Sequence, residues 1–225
     1  LVQPPAIEKT ISEYLAHNNI SQFAISETQK FGHVTYFWNG NNSKKFNEET
    51  EDWVEIPSDK IAFDLAPAMK AVEIAEETEK SLRSKKFKFL RLNFANGDMV
   101  GHTGSLSAAV EAVNVVDAAV GKLLAVIDEL GGTVIITADH GNCEQMVAVD
   151  DKTGQTVQGP GGGYLPMTSH TLNPVPFIIH GPDTKHYILN KELKAPGLGN
   201  VAATILTLLG FKKPDIYLDS IITLQ

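Results

Sequence analysis

The chain has few of the features that mark several classes of protein. Its single cysteine, Cys143, excludes an internal disulfide and fits a reducing compartment, so we expect a cytoplasmic protein. Basic residues are outnumbered by acidic ones, 19 to 27, and the net charge of −8 argues against a nucleic-acid partner and against docking on anionic membranes. Uninterrupted apolar runs of about 18 residues are lacking, because charged residues break the most apolar stretch, residues 105–130, so we expect no membrane span.

The chain also lacks an initiator methionine and a basic-then-apolar leader, since it begins LVQPPAIEK. We therefore expect it to be a piece of a longer protein. What is present fits a folded globular chain: 43% of its 225 residues are hydrophobic and 20% are charged. At roughly 150 residues per domain, this length allows one large domain or two small ones.

Short β-rich runs alternate with longer helical periods along the chain. This order is typical of βαβ units, so the predicted fold class is α/β with a mostly parallel sheet flanked by helices. The run at residues 133–139 is almost entirely apolar, which predicts a strand in the buried middle of that sheet. The predicted helices are 6–19, 64–82, 105–130 and 199–209; the predicted strands are 21–26, 33–40, 87–94, 133–139 and 174–181; residues 41–60 are predicted as a surface loop and 150–168 as a Gly/Pro-rich insertion.

Polar clusters follow or precede three of these strands. Asp98 and His102 are four residues apart, so one helical turn or a tight loop would place both on one side; the intervening glycines favour a loop. Asp139 and His140 are adjacent and can diverge toward two nearby ions at the bent end of a strand. His170 supplies a further nitrogen. Carboxylate and imidazole ligands without thiolate suit Mn²⁺ or Zn²⁺ better than Mg²⁺.

Each motif taken alone has an ordinary structural explanation. A single Asp-x-x-x-His or Asp-His pair is common in proteins that bind no metal. Three histidines and two aspartates at successive strand ends of one α/β sheet are a different matter, because the carboxyl ends of parallel strands converge. The combination predicts a metal site.

These segments resemble a known family. NGDMVGHTG, TADHGN and TSHTLNPVPF look like the metal motifs of the cofactor-independent (2,3-bisphosphoglycerate-independent) phosphoglycerate mutases, which belong to the alkaline phosphatase superfamily. ISETQKFGHVTYFWNG and SLSAAVEAVNVVDAAVGKLLAVI agree with that family as well. The resemblance implies an alkaline-phosphatase-like fold, in which residues 1–225 form the C-terminal portion of the metal-binding phosphatase-like domain.

The resemblance also implies roles for individual residues. Asp98, His102 and His170 match the protein ligands of one Mn²⁺, and Asp139 and His140 match two ligands of a second; Co²⁺, Zn²⁺ or Mg²⁺ are possible replacements. Lys30, in SETQK, matches a lysine that contacts the substrate phosphate. No catalytic residue is assigned here, because the family's serine nucleophile and its glycerate-binding transferase domain belong to a segment that precedes residue 1.

The implied activity is that of the longer parent. In the family, a phosphoserine intermediate carries the phosphoryl group while 3-phosphoglycerate and 2-phosphoglycerate interconvert in glycolysis and gluconeogenesis. We expect a monomeric parent that acts on this small molecule, and a fragment that is inactive alone. Two alternatives are a non-catalytic metal-binding fragment and a phosphohydrolase of the same superfamily.

Three further features are not assigned to the site. Cys143 is interpreted as a half-buried bystander, and the glycine run at 159–163 as a surface loop. His33 is equally suited to substrate contact or packing.

Overall fold

A computed structural model describes residues 7–150 and 152–224 and divides the chain into two compact units. The first unit comprises residues 1–126 and 140–175, and the second comprises residues 127–139 and 176–225. The beginning of the helix predicted at residue 6 lies outside the described residues. The helices are α1 (Ile11–His17), α2 (Thr28–Gly32), α3 (Ala71–Ser84), α4 (Asn96–Gly101), α5 (Leu106–Leu130) and α6 (Val201–Leu208); the strands are β1 (Gln22–Glu27), β2 (Glu51–Ile56), β3 (Phe89–Leu92), β4 (Val134–Thr137), β5 (Phe177–His180), β6 (Tyr187–Leu189) and β7 (Ile222–Leu224).

A parallel three-stranded sheet forms the centre of the first unit. Its strand order is β2-β1-β3, and every residue of β1 is buried. Ile74 of α3 packs on Phe23 and Ile25 of β1, while two alanines of α3 belong to a second core cluster with residues of α5. Helices therefore flank a parallel sheet, and the predicted α/β fold class is confirmed.

The predicted strand at residues 33–40 is wrong. Its β-branched and aromatic composition favours a strand, but residues His33–Phe37 form a π-helical continuation of α2. The Thr35 hydroxyl donates to the Phe31 carbonyl at 2.7 Å, and Val34 and Thr35 are buried. Packing and this local hydrogen bond override the intrinsic preference of the residues.

The predicted surface loop at residues 41–60 contains a strand. Glu51 begins β2, pairs with Gln22 of β1 and is fully buried. Its Oε1 accepts hydrogen bonds from the backbone N–H groups of Phe46 (2.9 Å) and Asn47 (3.0 Å). The acidic composition suggested a solvated segment, but the residue lies inside the unit, where backbone donors satisfy one of its two carboxylate oxygens.

The helix predicted from residue 64 begins later. Residues Phe63–Leu65 form a 3₁₀ turn, and α3 starts at Ala71. Pro67 lies between the two, where its missing N–H and fixed φ interrupt a continuous helix. Helix α5 matches its predicted span within one residue, and Gly131 just after it adopts a φ of +67°.

The second unit contains two antiparallel pairs, β4 with β5 and β6 with β7, and helix α6. The expectation that β4 lies in the middle of a parallel sheet is wrong. Its residues are half-buried or exposed, and Ile135 faces Ile179 across an antiparallel ladder. Strands β6 and β7 were not predicted, since each has only three residues.

Within residues 7–150 and 152–224, no helix is both long enough and apolar enough to cross a membrane.

Candidate metal centre

Helix α4 follows β3 and carries the first part of the site. The glycine-rich sequence favoured a loop, but residues Asn96–Gly101 are helical, and the His102 N–H donates to the Asp98 carbonyl at 3.1 Å. Asn96 is fully buried and donates to the carbonyls of residues 67 and 68 at 2.9 and 2.8 Å. Val100 is buried beside it. This anchoring stabilises the turn despite its glycines, and the turn places Asp98 and His102 on one side.

Three predicted ligands meet in a compact triangle. Asp98 Oδ1 lies 3.0 Å from His102 Nε2 and 2.9 Å from His170 Nε2, and the two nitrogens are 3.1 Å apart. An octahedral ion with ligand distances of about 2.1 Å would place adjacent ligand atoms about 3.0 Å from each other. The three atoms are thus spaced like neighbouring ligands of one divalent cation.

His140 joins this cluster. Its Nε2 lies 3.9 Å from Asp98 Oδ1, and its ring stacks on that of His170 with a centroid distance of 3.6 Å. Ligand atoms of Asp98, His140 and His170 all lie within 4.8 Å of one another. Asp139 is exposed and belongs to the second unit. Its role as a ligand of a second ion stays a prediction.

The orientation of His102 fits a metal ligand. Its Nδ1 contacts the Thr168 carbonyl at 2.7 Å. A carbonyl oxygen only accepts hydrogen bonds, so Nδ1 carries a proton, and this contact fixes the ring with Nε2 on the side of Asp98 and His170. Two imidazole nitrogens and a carboxylate oxygen at these separations need a positive charge or a shared proton among them. The donor set therefore fits a cation.

Lys30 balances the charge of Asp98. The lysine lies on α2, is 6% exposed, and its Nζ forms an ion pair with Asp98 Oδ2, the oxygen opposite the histidines. Asn142 Nδ2 donates to Asp98 Oδ1 at 2.8 Å. Burial acts to raise the pKa of Asp98, but the hydrogen bonds from Lys30 and Asn142 outweigh it and lower that pKa to about 2. Asp98 is therefore anionic at neutral pH.

Several residues of the site were not found by sequence reasoning. Glu144 accepts hydrogen bonds from the hydroxyl of Thr171, from Asn173 Nδ2 at 3.0 Å, and from the backbone N–H of Asn142 at 2.6 Å. Burial opposes ionisation of Glu144, but these hydrogen bonds outweigh it and lower its pKa. The only available signal was position, since all four residues lie within four of a predicted ligand.

The surroundings of Cys143 and His33 do not favour metal binding by either side chain. Cys143 is half-buried against the apolar cluster that contains Val100 and Ala109. Burial raises the pKa of its thiol, which disfavours the thiolate that a metal requires. His33 is exposed, and its ring lies 5.2 Å from that of Phe37.

Known proteins resemble this chain over nearly its whole length. A probable 2,3-bisphosphoglycerate-independent phosphoglycerate mutase 2 of Arabidopsis thaliana is 50% identical over 224 residues, which cover 99% of this chain and 40% of that protein. A probable 2,3-bisphosphoglycerate-independent phosphoglycerate mutase of Leptospira interrogans is 49% identical over 222 residues, which cover 99% of this chain and 40% of that protein. The chain thus spans about two fifths of the length of these relatives.

The fold is shared with a solved structure. A phosphoglycerate mutase of Leishmania mexicana, crystallised at low cobalt concentration, matches with a TM-score of 0.96 and 45% identity, covering 100% of this chain and 41% of that one. Residues 1–213 match the family described as the metalloenzyme superfamily. The chain belongs to the metalloenzyme superfamily.

Proposed function

We propose that the chain is the metal-binding part of a cytoplasmic phosphoglycerate mutase, an isomerase that interconverts 3-phosphoglycerate and 2-phosphoglycerate in glycolysis. The observation that carries this proposal is the triangle of Asp98 Oδ1, His102 Nε2 and His170 Nε2, in a chain about half identical to phosphoglycerate mutases. Residues 1–225 would be the C-terminal portion of the phosphatase-like domain of a monomeric parent.

Asp98, His102 and His170 would hold one divalent ion, and Asp139 and His140 would contribute to a second. Imidazoles with one carboxylate favour Mn²⁺, Co²⁺ or Zn²⁺ over Mg²⁺. When bound, such ions neutralise charge on phosphoryl oxygens and lower the pKa of an oxygen nucleophile. The side chains of His102 and His170 are 38% and 47% exposed, which leaves the ligand-bearing side of the triangle accessible to a small substrate.

Charge supports a phosphate ester as the substrate. Asp98 and Lys30 cancel one another, and histidines bind metals as neutral imidazoles. A bound divalent ion would add +2 to this neutral pair, and that positive charge attracts a phosphate monoester of about −2. The Lys30 ammonium lies directly against a proposed ligand, so we assign it to a phosphoryl oxygen of the substrate as well as to Asp98.

The chain's own residues supply only part of the chemistry. Ser105 and Ser169 lie near the motifs, but neither matches the family's nucleophile position. We assign the nucleophile and the residues that orient glycerate to the remainder of the parent, since the relatives are more than twice as long. The 225 residues alone should bind metal without measurable mutase turnover.

Calorimetric titration of the 225-residue chain with Mn²⁺ tests the assignment. We expect about one ion per chain, because Asp139 and His140 supply only two protein ligands for the second position. His170→Ala should weaken binding by about 100-fold or more, because loss of a residue that only orients a metal ligand already costs about 10- to 100-fold. His186→Ala, which removes an exposed imidazole of the second unit, is the matched control and should change the affinity less than twofold.

Equal Mn²⁺ affinity in the two variants would refute the metal centre. In the parent protein, His170→Ala should abolish interconversion of 3- and 2-phosphoglycerate. Release of inorganic phosphate by the unmodified parent, without formation of 2-phosphoglycerate, would identify a phosphohydrolase instead.

A further inference from the structure

His140 and His170 lie on two segments whose backbones pair through isolated bridges. Between them, the Thr171 N–H donates to the Gly141 carbonyl at 2.9 Å, and the two residues form an isolated β-bridge. The stacked histidine rings add contact but no directional bond. Further along the same segments, the Met167 N–H donates to the Met146 carbonyl at 3.0 Å, and Val147 and Pro166 form a second isolated bridge. These backbone contacts align the two segments but do not orient the side chains near the proposed metal, so the precision of the cluster needs another source.

The Glu144 carboxylate forms hydrogen bonds to both loops. One oxygen accepts hydrogen bonds from the Thr171 hydroxyl and from Asn173 Nδ2, both on the loop that carries His170. The other oxygen accepts the backbone N–H of Asn142 at 2.6 Å, on the loop that carries His140. A charged acceptor makes shorter and stronger hydrogen bonds than a neutral one.

Asn142 extends these links to the third ligand. It is 5% exposed, and its Nδ2 donates to both the carbonyl oxygen (3.1 Å) and Oδ1 (2.8 Å) of Asp98. The amide thus fixes which Asp98 oxygen faces the histidines, while Lys30 holds the other. Glu144 orients the backbone of Asn142 and therefore acts on Asp98 through it.

We propose that Glu144 is a positioning residue, which sets the geometry of Asp98 and His170 for the proposed ion, and that of the neighbouring His140, without touching the ion. The inference rests on the proposed function, because it concerns the same centre. Residues that orient metal ligands typically contribute a factor of about 10 to 100 in metal affinity. Glu144 has the contacts that such a contribution requires.

The test compares variants of the 225-residue chain by Co²⁺ calorimetry and by the visible absorption of the Co²⁺-saturated protein. Glu144→Ala should weaken Co²⁺ binding by about 10- to 100-fold and alter the band shape at saturation. Glu144→Gln keeps an acceptor for Thr171 and Asn173 but presents an amide to Asn142, so it should recover part of the affinity. Glu76→Ala, which removes an exposed carboxylate of α3, is the matched control and should match the unmodified chain in both measurements.

Thr171→Val covers the case in which Glu144→Ala fails to fold. It removes the hydroxyl, which donates to Glu144 and accepts the Asn173 N–H at 3.3 Å, and it keeps the backbone bridge to Gly141. We expect about a tenfold loss of Co²⁺ affinity and the same band shift as for Glu144→Ala. A lower melting temperature with an unchanged Co²⁺ spectrum at saturation would show a merely structural role and overturn the proposal.

His170→Ala separates the two hypotheses. Unchanged affinity in the Glu144 and Thr171 variants, with binding lost in His170→Ala, would overturn the positioning role and leave the metal centre intact. Unchanged affinity in all of them would overturn the metal centre, and the positioning role with it.

Discussion

Two clusters of the first unit hold buried charged side chains in opposite ways. At the metal centre, Lys30 and Asn142 contact Asp98 and lower its pKa to about 2 despite burial. In the sheet, Glu51 of β2 and Arg91 of β3 flank β1. Burial raises the pKa of Glu51 and lowers that of Arg91 to about 10, and the attraction between the two charges only opposes these shifts.

The difference separates a binding site from a structural polar cluster. Lys30 pairs with Oδ2 of Asp98, whereas Oδ1 accepts a hydrogen bond from Asn142 and faces three imidazoles, which leaves its charge available to a cation. Arg91 is directed inward: its Nε donates to the Val34 carbonyl at 2.8 Å, and its guanidinium lies 5.3 Å from the ring of Trp38. Burial of charge therefore does not by itself indicate function; the chemistry and openness of the surrounding groups do.

Removing the sheet cation should have the largest effect on stability. Arg91→Met would leave Glu51 buried without its compensating charge, and we expect the free energy of unfolding to fall by about 3 kcal/mol. Lys86→Met, which breaks an exposed pair with Asp52, is the control and should cost less than about 1 kcal/mol. Denaturant unfolding measures both. A weakened Mn²⁺ affinity in folded Arg91→Met would contradict the separation of the two clusters.

Substitution of a glycine beside the metal centre should have a smaller effect, and that effect should be on metal affinity. The Cβ of Gly101→Ala would overlap the side-chain amide of Asn142 and displace it from Asp98. We expect Mn²⁺ affinity to fall about tenfold. Gly121→Ala, on α5 where a Cβ meets nothing within 4 Å, should leave Mn²⁺ affinity unchanged and stabilise the helix by about 0.5–1 kcal/mol. Equal affinity in both variants, measured by calorimetry, would show that Asn142 does not orient Asp98.

The smallest expected effect is a pH dependence that comes from Glu51. Its pKa is higher in the folded chain than the ordinary 4.5, so the folded state binds the proton more tightly than the unfolded state does. This contribution to stability is full below pH 4.5 and is lost as pH rises through the folded pKa. Glu51→Gln should remove this decline and keep the acceptor for residues 46 and 47. If the unfolding free energies of the unmodified chain and Glu51→Gln changed with pH in parallel, this prediction would be wrong.

The sequence predicted the residues of the site better than the backbone structure that carries them. Asp98, His102, His140 and His170 were selected from residue type, spacing and placement next to strands, and the structure brings them together. The local frame of α4 was predicted wrongly, because glycines argue for a loop and only the packing of Asn96 and Val100 shows otherwise.

Errors in the fold have a common physical cause. Residues 33–37 have strand-like composition but form a helix, and Glu51 is acidic but fully buried. In both cases, local propensity is weaker than tertiary hydrogen bonds and packing. The apolar strand β4 was expected in a parallel sheet, but an apolar run does not specify its neighbour or the direction of pairing.

What the sequence alone determined is the chemistry of the chain: the acidic balance, the α/β alternation, and a set of carboxylate and imidazole ligands in motif-like segments. These follow from residue types and short spacings, which the chain carries in any conformation. Only the tertiary structure decided that Lys30 pairs with one oxygen of Asp98, that Asn142 holds the other, and that Glu144 joins the loops of His140 and His170. Such contacts join residues up to 68 positions apart, as in Lys30 and Asp98, and depend on loop conformation and burial that no local pattern encodes.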